Sequence, residues 1–318
     1  MNATETVHLE DVQQAAERIA PWVHLTPVMS SELIDAEAGC ELLFKCENLQ
    51  KAGAFKARGA HNAVLALSQE ELRRGVATHS SGNHAAALAL AASRVQAPAY
   101  VVMPENAPAV KVAAVRAYGA DITFCAPNLR AREEGLAAIC ARTGAHFIPP
   151  YDDARVIAGQ GTCALELAQQ LSRPPDVLVT PVGGGGLLSG CAVVARALWP
   201  DPRVIGAEPA GADDAQRGFR SGTRQTQAAS QTIADGLRST LGERNFAIIR
   251  DKVDDILTAS DEAIVEAMRL VWTRMKLVIE PSAAVPLAVV LTHRELFAGQ
   301  RVAVVVTGGN VDIDKLPW

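Results

Sequence analysis

The sequence predicts an α/β protein built on parallel sheets, and three observations carry that reading. Short apolar runs alternate with longer helix-patterned segments along most of the 318 residues. One run, "VLVTPV" (177–182), passes straight into four glycines and an apolar helical pattern. The last, "RVAVVV" (301–306), is apolar at successive positions, as a strand buried on both faces must be. A chain of this length suits two packed lobes rather than one core.

In order, "ELLFKC" (41–46) reads as a strand and "GVATHS" (75–80) as a second. "SGNHAAALALAASRV" (81–95) follows as a helix, rich in alanine and leucine on most faces and so packed on several sides. "AYVVM" (99–103) is a strand; "PAVKVAAVRAYGAD" (108–121) is a helix with Pro108 near its start and Gly119 at its stop. "ITFCA" (122–126) returns to strand, and "NLRAREEGLAAICARTG" (128–144) to a helix closed by Gly144. After the strand at 177–182 a helix runs to Leu198, and "RVIGAEP" (203–209) is the next strand. The polar stretch from Gly211 to Gln231 is expected to be a mobile loop. Two helices are expected over 260–277 and 281–296 before the final strand. Strands separated by helices give parallel sheets covered on both faces. The segment 75–150 is expected as a small domain inserted in a larger one made of 1–70 and 153–318.

With 35 acidic against 30 basic residues, the chain offers no electrostatic footprint for nucleic acid or an anionic membrane. The six cysteines show no CxxC pair or metal-ligand spacing; they read as buried free thiols of a reducing, cytoplasmic environment. The N-terminal residues hold acidic side chains and no apolar leader pattern. The uncharged stretch 177–195 is long enough to suggest a membrane span, but its four central glycines argue for strand, turn and helix.

Four places carry chemistry. In "KAGAFKARGAHNAV" (51–64), Lys56 sits among small residues. It is either a solvated lysine at a helix start or an amine in a small dry pocket, where desolvation favours its neutral, nucleophilic form. In "PVGGGGLLSG" the run Gly183, Gly184, Gly185, Gly186 and then Leu187 opens a helix, exposing backbone N–H groups suited to a phosphate. A purely structural glycine run is the alternative. No GK[ST] follows, so this is not a Walker loop, and no G-x-G-x-x-G register fits. "SSGNH" gathers Ser80, Ser81, Asn83 and His84 at a strand-to-helix turn, where an anion such as a carboxylate would be held, unless the cluster is ordinary helix capping. "VVVTGGN" places the Thr307 hydroxyl at a strand end beside two glycines; taken alone it is a turn. A lysine, a phosphate cradle and a neutral partner for a ring nitrogen together point to pyridoxal 5′-phosphate.

These same residues resemble the serine/threonine dehydratase family of fold-type II pyridoxal-phosphate enzymes, of tryptophan synthase β-like fold, along nearly the whole chain. "GAFKARGA" matches the family's Gly-Ser-Phe-Lys-x-Arg-Gly-Ala pattern. The resemblance makes Lys56 the Schiff-base lysine beside Phe55, puts Asn83 on the ring hydroxyl, and sets Ser80, Asn83 and His84 around the substrate carboxylate. "GGGGL" is similar to the phosphate loop, and Thr307 stands opposite the ring nitrogen. "FIPPYDDARVIAGQGT" and "TIADGLRSTLGERNFAIIRDKVDDILTASD" look most like the subgroup of serine racemases and threo-3-hydroxyaspartate dehydratases. Three positions depart from the wider pattern: Ala54 for serine, Thr307 for serine, and Ala86 where racemases have an ATP-holding glutamine.

The resemblance implies β-elimination from a 3-hydroxy-L-amino acid, with Lys56 moving the Cα proton and Ser81 on the opposite ring face. It places Arg132 near the substrate side chain, which favours threo-3-hydroxy-L-aspartate; L-serine and L-threonine dehydration, or serine racemisation, are the alternatives. A non-catalytic cofactor- or amino-acid-binding protein is the remaining alternative of another class. Glu208, the Ala212 carbonyl and Asp214 match the family's divalent-cation ligands, an oxygen set suited to Mg²⁺, Mn²⁺ or Ca²⁺. A homodimer is the implied assembly.

Overall fold

The computed structural model describes residues 6–226 and 230–318. Along the chain run α1 (Leu9–Ile19), β1 (Val28–Met29), α2 (Glu32–Ala38), β2 (Glu41–Cys46), α3 (Lys56–Leu65) and α4 (Gln69–Arg74). Then come β3 (Val76–His79), α5 (Asn83–Arg94), β4 (Ala99–Pro104), α6 (Ala109–Ala117), β5 (Asp121–Cys125), α7 (Leu129–Thr143) and β6 (His146–Phe147). The rest comprises α8 (Ala154–Gln170), β7 (Val177–Pro181), α9 (Gly186–Leu198), β8 (Arg203–Pro209), α10 (Asp214–Ser221) and α11 (Glu243–Lys252). It closes with β9 (Asp255–Ala259), α12 (Asp261–Leu270), α13 (Pro281–Thr292) and β10 (Arg301–Val306).

The strands form two sheets. The larger has the order β1-β2-β10-β7-β8-β9, parallel except for β1, which pairs antiparallel with β2. The smaller has the order β5-β4-β3-β6, wholly parallel, and draws all its strands from 76–147. Side chains alternate across the large sheet. Leu42, Phe44, Val177, Val179, Val302 and Val304 enter one core with α2, α12 and α13. Leu43, Leu178, Ala303 and Val305 enter the other with α1, α8, α9 and α11. In the small sheet Val101 and Met103 pack on α5 and α6, whereas Val102 faces α7.

The expected elements form, with two differences. Within the stretch 211–231 the structure holds α10 rather than loop alone, and residues 227–229 of that stretch lie outside the described residues. Its polar composition masked an amphipathic helix that buries Asp214, Ala215 and Gly218. The helix expected over 260–277 ends at Leu270 and continues as a π-helical turn, Val271–Met275, stopped by Lys276 at φ 59°. The uncharged stretch 177–195 is β7, the glycine turn and most of α9. Among the described residues no helix is long and apolar enough to cross a membrane. All six cysteines are free, four buried and two half-buried.

Candidate active site

The carboxyl ends of the parallel strands converge on one region, as they do in open α/β sheets. Thr307 follows β10, Gly183 follows β7, Glu208 lies at the end of β8 and Ser80 follows β3. Lys56 opens α3 and is tied to this region by its backbone neighbours. Phe55 N–H donates to the Thr307 carbonyl at 3.0 Å, and Ala54 bridges to Gly308. The Lys56 Nζ donates to the Pro150 carbonyl at 2.7 Å and lies 5.1 Å from the centre of the Phe55 ring. Among the described residues it has no acidic partner. Burial pulls this amine down to about 8, so about a tenth of it is neutral at pH 7, far more than for an ordinary lysine.

The glycine loop is shaped by close packing. A Cβ at Gly183 would stand 2.9 Å from the Leu237 Cα, and one at Gly184 would collide with the Tyr151 ring. Gly185 has φ 91° and leaves no room beside Leu241; a Cβ at Gly186 would come 3.0 Å from the Tyr151 carbonyl. The first turn bond of α9 runs from Ser189 N–H to the Gly185 carbonyl at 2.9 Å. The N–H groups of Gly186, Leu187 and Leu188 therefore have no acceptor within the helix, and they form the cradle an anion needs. Asn245 braces this loop from below: its amide donates to the Gly184 carbonyl at 2.8 Å and the Tyr151 carbonyl at 3.2 Å. Gly242 N–H also reaches the Gly184 carbonyl, at 3.1 Å.

At the start of α5, the Ser80 hydroxyl accepts from Gly82 N–H at 3.3 Å, and the Ser81 hydroxyl has no protein partner among the described residues. Asn83 is held on both sides. Its amide donates to Glu280 Oε1 at 2.7 Å, and its oxygen accepts from the Asn310 amide at 2.9 Å. The carbonyl of Ile148 lies 3.1 Å from His84 Nε2. A carbonyl only accepts, so Nε2 carries the proton and Nδ1 is the bare nitrogen, buried without a partner. Burial, and then the charge of Lys56, push this imidazole down to about 3, so it is neutral.

Thr307 is 3% exposed, and among the described residues its hydroxyl has no protein partner. Arg132, on the first turn of α7, is half-buried, and its guanidinium has no carboxylate partner among the described residues. Glu208 and Asp214 are both buried, as is Ala212. The Glu208 carboxylate accepts from Ala215 and Gln216 N–H at 3.0 and 2.9 Å; Asp214 accepts from Leu241 N–H at 3.1 Å. Burial pushes Glu208 up to about 8 and raises Asp214 as well; neighbouring acids add to this at both, and the Arg217 charge works against it at Asp214. No three His, Cys, Asp or Glu side chains among the described residues could share a metal, so a cation here needs backbone oxygen too.

Several residues of the site escaped sequence reasoning: Pro150, Tyr151, Asn245, Glu280 and Asn310. Glu280 is 3% exposed at the start of α13; one of its oxygens holds Asn83, and the other is buried without a partner. Burial pushes it up to about 7. Its only sequence signal is its place just before the Pro281 that starts α13. The residues present fit a phosphorylated aldehyde. They provide an amine without a counter-charge, a cradle of free N–H groups, and a buried hydroxyl with nothing to bind.

Comparison with known proteins agrees. The family model "Pyridoxal-phosphate dependent enzyme" matches residues 19–308. A β-hydroxyaspartate dehydratase of Paracoccus denitrificans is 50% identical over 97% of this chain and 98% of that protein. A serine racemase of Dictyostelium discoideum is 45% identical over 99% and 98%. The solved structure of maize serine racemase superposes with a TM-score of 0.95 at 44% identity, covering 98% of this chain and 95% of that one. The chain is thus a member of the pyridoxal-phosphate-dependent enzyme family, with the fold-type II architecture of its relatives.

Proposed function

We propose that this enzyme converts threo-3-hydroxy-L-aspartate to oxaloacetate and ammonia. The observation that carries the reading is Lys56, a buried amine pulled down to about 8 whose only partner among the described residues is a carbonyl. The bound coenzyme supplies an electron sink for the electrons left when the Cα proton departs. Lys56, in its neutral form, would take that proton. Ser80, Asn83 and the first turn of α5 hold the substrate's α-carboxylate, and His84, neutral and buried, keeps the pocket wall uncharged. The N–H groups of Gly183 to Leu187 would hold the cofactor phosphate, with Phe55 beside Lys56 as an apolar wall, and Thr307 would offer a hydroxyl without charge to the ring nitrogen. Water then completes hydrolysis to the 2-oxo acid and ammonia, so one hydroxyl leaves and one oxygen returns.

That the substrate is a hydroxyaspartate is supported by the Paracoccus relative, a β-hydroxyaspartate dehydratase, and by Arg132, a half-buried guanidinium lacking an anion among the described residues. The threo configuration is supported by a relative in Pseudomonas, an L-threo-3-hydroxyaspartate ammonia-lyase. Initial rates of oxo-acid release from threo-3-hydroxy-L-aspartate, L-serine and L-threonine test it; a clear preference for threonine overturns it. Serine racemisation is the second reading, favoured by the Dictyostelium and maize relatives and by the unpartnered Ser81 hydroxyl, which could return a proton to the other face of Cα. Chiral analysis of the product from L-serine, with Ser81→Ala alongside, separates the two.

Four further proposals follow from the family likeness. Glu208, Ala212 and Asp214 hold a divalent cation that braces the loop leading to Gly184, through Leu241 and Gly242; a chelator should then lower the melting temperature. The chain folds as an inserted domain, 75–150, within a larger one of 1–70 and 153–318, a division supported by sheet membership. It acts as a homodimer, to be tested by sedimentation. It resides in the cytoplasm, where its free thiols stay reduced.

A further inference from the structure

Three hydrogen bonds decide which way the Asn83 amide faces. The Ala52 carbonyl accepts from the Asn310 amide at 2.8 Å. A carbonyl only accepts, so the atom of Asn310 that faces it is the nitrogen. The other N–H on that nitrogen reaches the Asn83 oxygen at 2.9 Å, and the Asn83 nitrogen then faces Glu280 Oε1 at 2.7 Å. Polarity runs one way along the series, and turning Asn83 over would set nitrogen against nitrogen at Asn310. Asn83 has two N–H bonds and two lone pairs; one of each is taken, which leaves one N–H free on the side of Glu280.

The same contacts reach the residues around Lys56. Ala52, at φ 55°, and Gly53, at φ 69°, form the turn that precedes it. A Cβ at Gly53 would collide with the Asn310 amide oxygen. Glu280 N–H donates to the Gly308 carbonyl at 3.0 Å, and a Cβ at Gly308 would stand 2.6 Å from Glu280 Oε1 and 3.2 Å from the Ala54 Cβ. Gly308 follows Thr307 and is the bridge partner of Ala54, two residues before Lys56. Asn83 is thus joined, contact by contact, to both Lys56 and Thr307. Glu280 is 3% exposed with its second oxygen orphaned. Burial favours its protonated form, the Lys111 charge opposing and Asp235 adding to this; in that form Oε1 is the carbonyl oxygen and still accepts from Asn83.

We propose that Glu280 and Asn310 are positioning residues of the cofactor site: they hold the Asn83 amide in one orientation, so that its free N–H, and not its oxygen, is presented to the bound cofactor. A cofactor oxygen gains a bond from the N–H and is repelled by the amide oxygen. Freed of either neighbour, the amide turns and offers the wrong atom part of the time. This role is the same whichever hydroxy amino acid is the substrate.

The test titrates cofactor-free protein with pyridoxal phosphate, reading the absorbance of the lysine-bound cofactor, with the melting temperature of the cofactor-free protein as the check on folding. Glu280→Leu removes the acceptor and should weaken binding about tenfold; Glu280→Gln keeps an oxygen there and should restore most of it. Asn310→Ala should weaken binding to a similar degree. Asn310→Asp, though nearly isosteric, should be worse than Asn310→Ala, because a carboxylate draws the Asn83 nitrogen towards itself and turns the amide over. Packing alone predicts the opposite order. A loss in Asn310→Asp equal to or milder than that in Asn310→Ala overturns the role of Asn310. Glu280→Leu within about twofold of wild type, or Glu280→Gln as damaging as Glu280→Leu, overturns that of Glu280. Gly308→Ala, whose methyl would take the place of Glu280 Oε1, gives an independent route to the Glu280→Leu result where a variant does not fold. Wild-type protein that takes up no cofactor would contradict the site itself, and this inference with it.

Discussion

Two lysines eleven residues apart show how one fold treats the same side chain in opposite ways. Lys45, at 0% exposure, donates to Glu166 at 2.5 Å, the Thr26 carbonyl at 2.8 Å and Gln170 at 2.8 Å, so each of its three N–H bonds has an acceptor. Beside it, Arg58 forks onto Glu47 with two bonds of 2.7 Å and reaches Glu166 at 3.0 Å. Two cations meet two carboxylates, and the charges cancel inside the protein. Among the described residues Lys56 has one carbonyl and no carboxylate. A buried charge that is fully paired fixes the relative placement of β2, α3 and α8. One left unpaired is pushed towards its neutral form, an amine or imidazole by losing a proton and a carboxyl by keeping one, and becomes chemically available. Glu280, with one oxygen orphaned, and His84, with one nitrogen orphaned, belong to the second class.

The contrast can be broken at either end. Lys56→Ala should abolish covalent cofactor attachment and cost about 10²–10⁴-fold or more in turnover, while leaving the melting temperature of the apoprotein nearly unchanged. Arg58→Met is the opposite case. It strands Glu47 in the interior and should cost about 3–5 kcal/mol in urea unfolding, most of which the added change Glu47→Leu should restore. A single variant as stable as wild type would show that the network carries no such strain.

Glu280 gives a pH-dependent form of the same test. Its carboxyl, at about 7 in the fold against 4.5 ordinarily, keeps a proton that the unfolded chain has already shed. Stability from this group is therefore full below the lower value and is lost as pH rises to the upper one, at about 1.4 kcal/mol per pH unit at most. Glu280→Gln should flatten that part of the stability profile; an unchanged slope would assign it to other groups. The smallest effect is expected at Asn245. Alanine there leaves the Tyr151 carbonyl without the Asn245 amide and the Gly184 carbonyl with Gly242 N–H alone, for about 1–3 kcal/mol and a faster loss of cofactor on dialysis.

What was legible in the sequence was local. The strand-helix alternation, the stop at Gly119 and Gly144, the glycine loop and the lysine run are each written in neighbouring residues, and the structure places their side chains as periodicity requires. What was not legible depends on contacts across the chain. Glu280 meets Asn83 from 197 positions away, and Asn245 meets Gly184 from 61. β9 is a short strand after a charge-rich helix, with no turn signal to frame it. α10 hid in a polar stretch because its apolar stripe is narrow.

The most direct measurement is to incubate cofactor-free protein with pyridoxal phosphate across a range of pH, reduce with borohydride, and map the modified lysine by mass spectrometry. The account predicts modification at Lys56, none at Lys45, and a capture rate that climbs with pH and levels off above about 8. Label spread over surface lysines, label at Lys45, or a rate indifferent to pH through that range would contradict it.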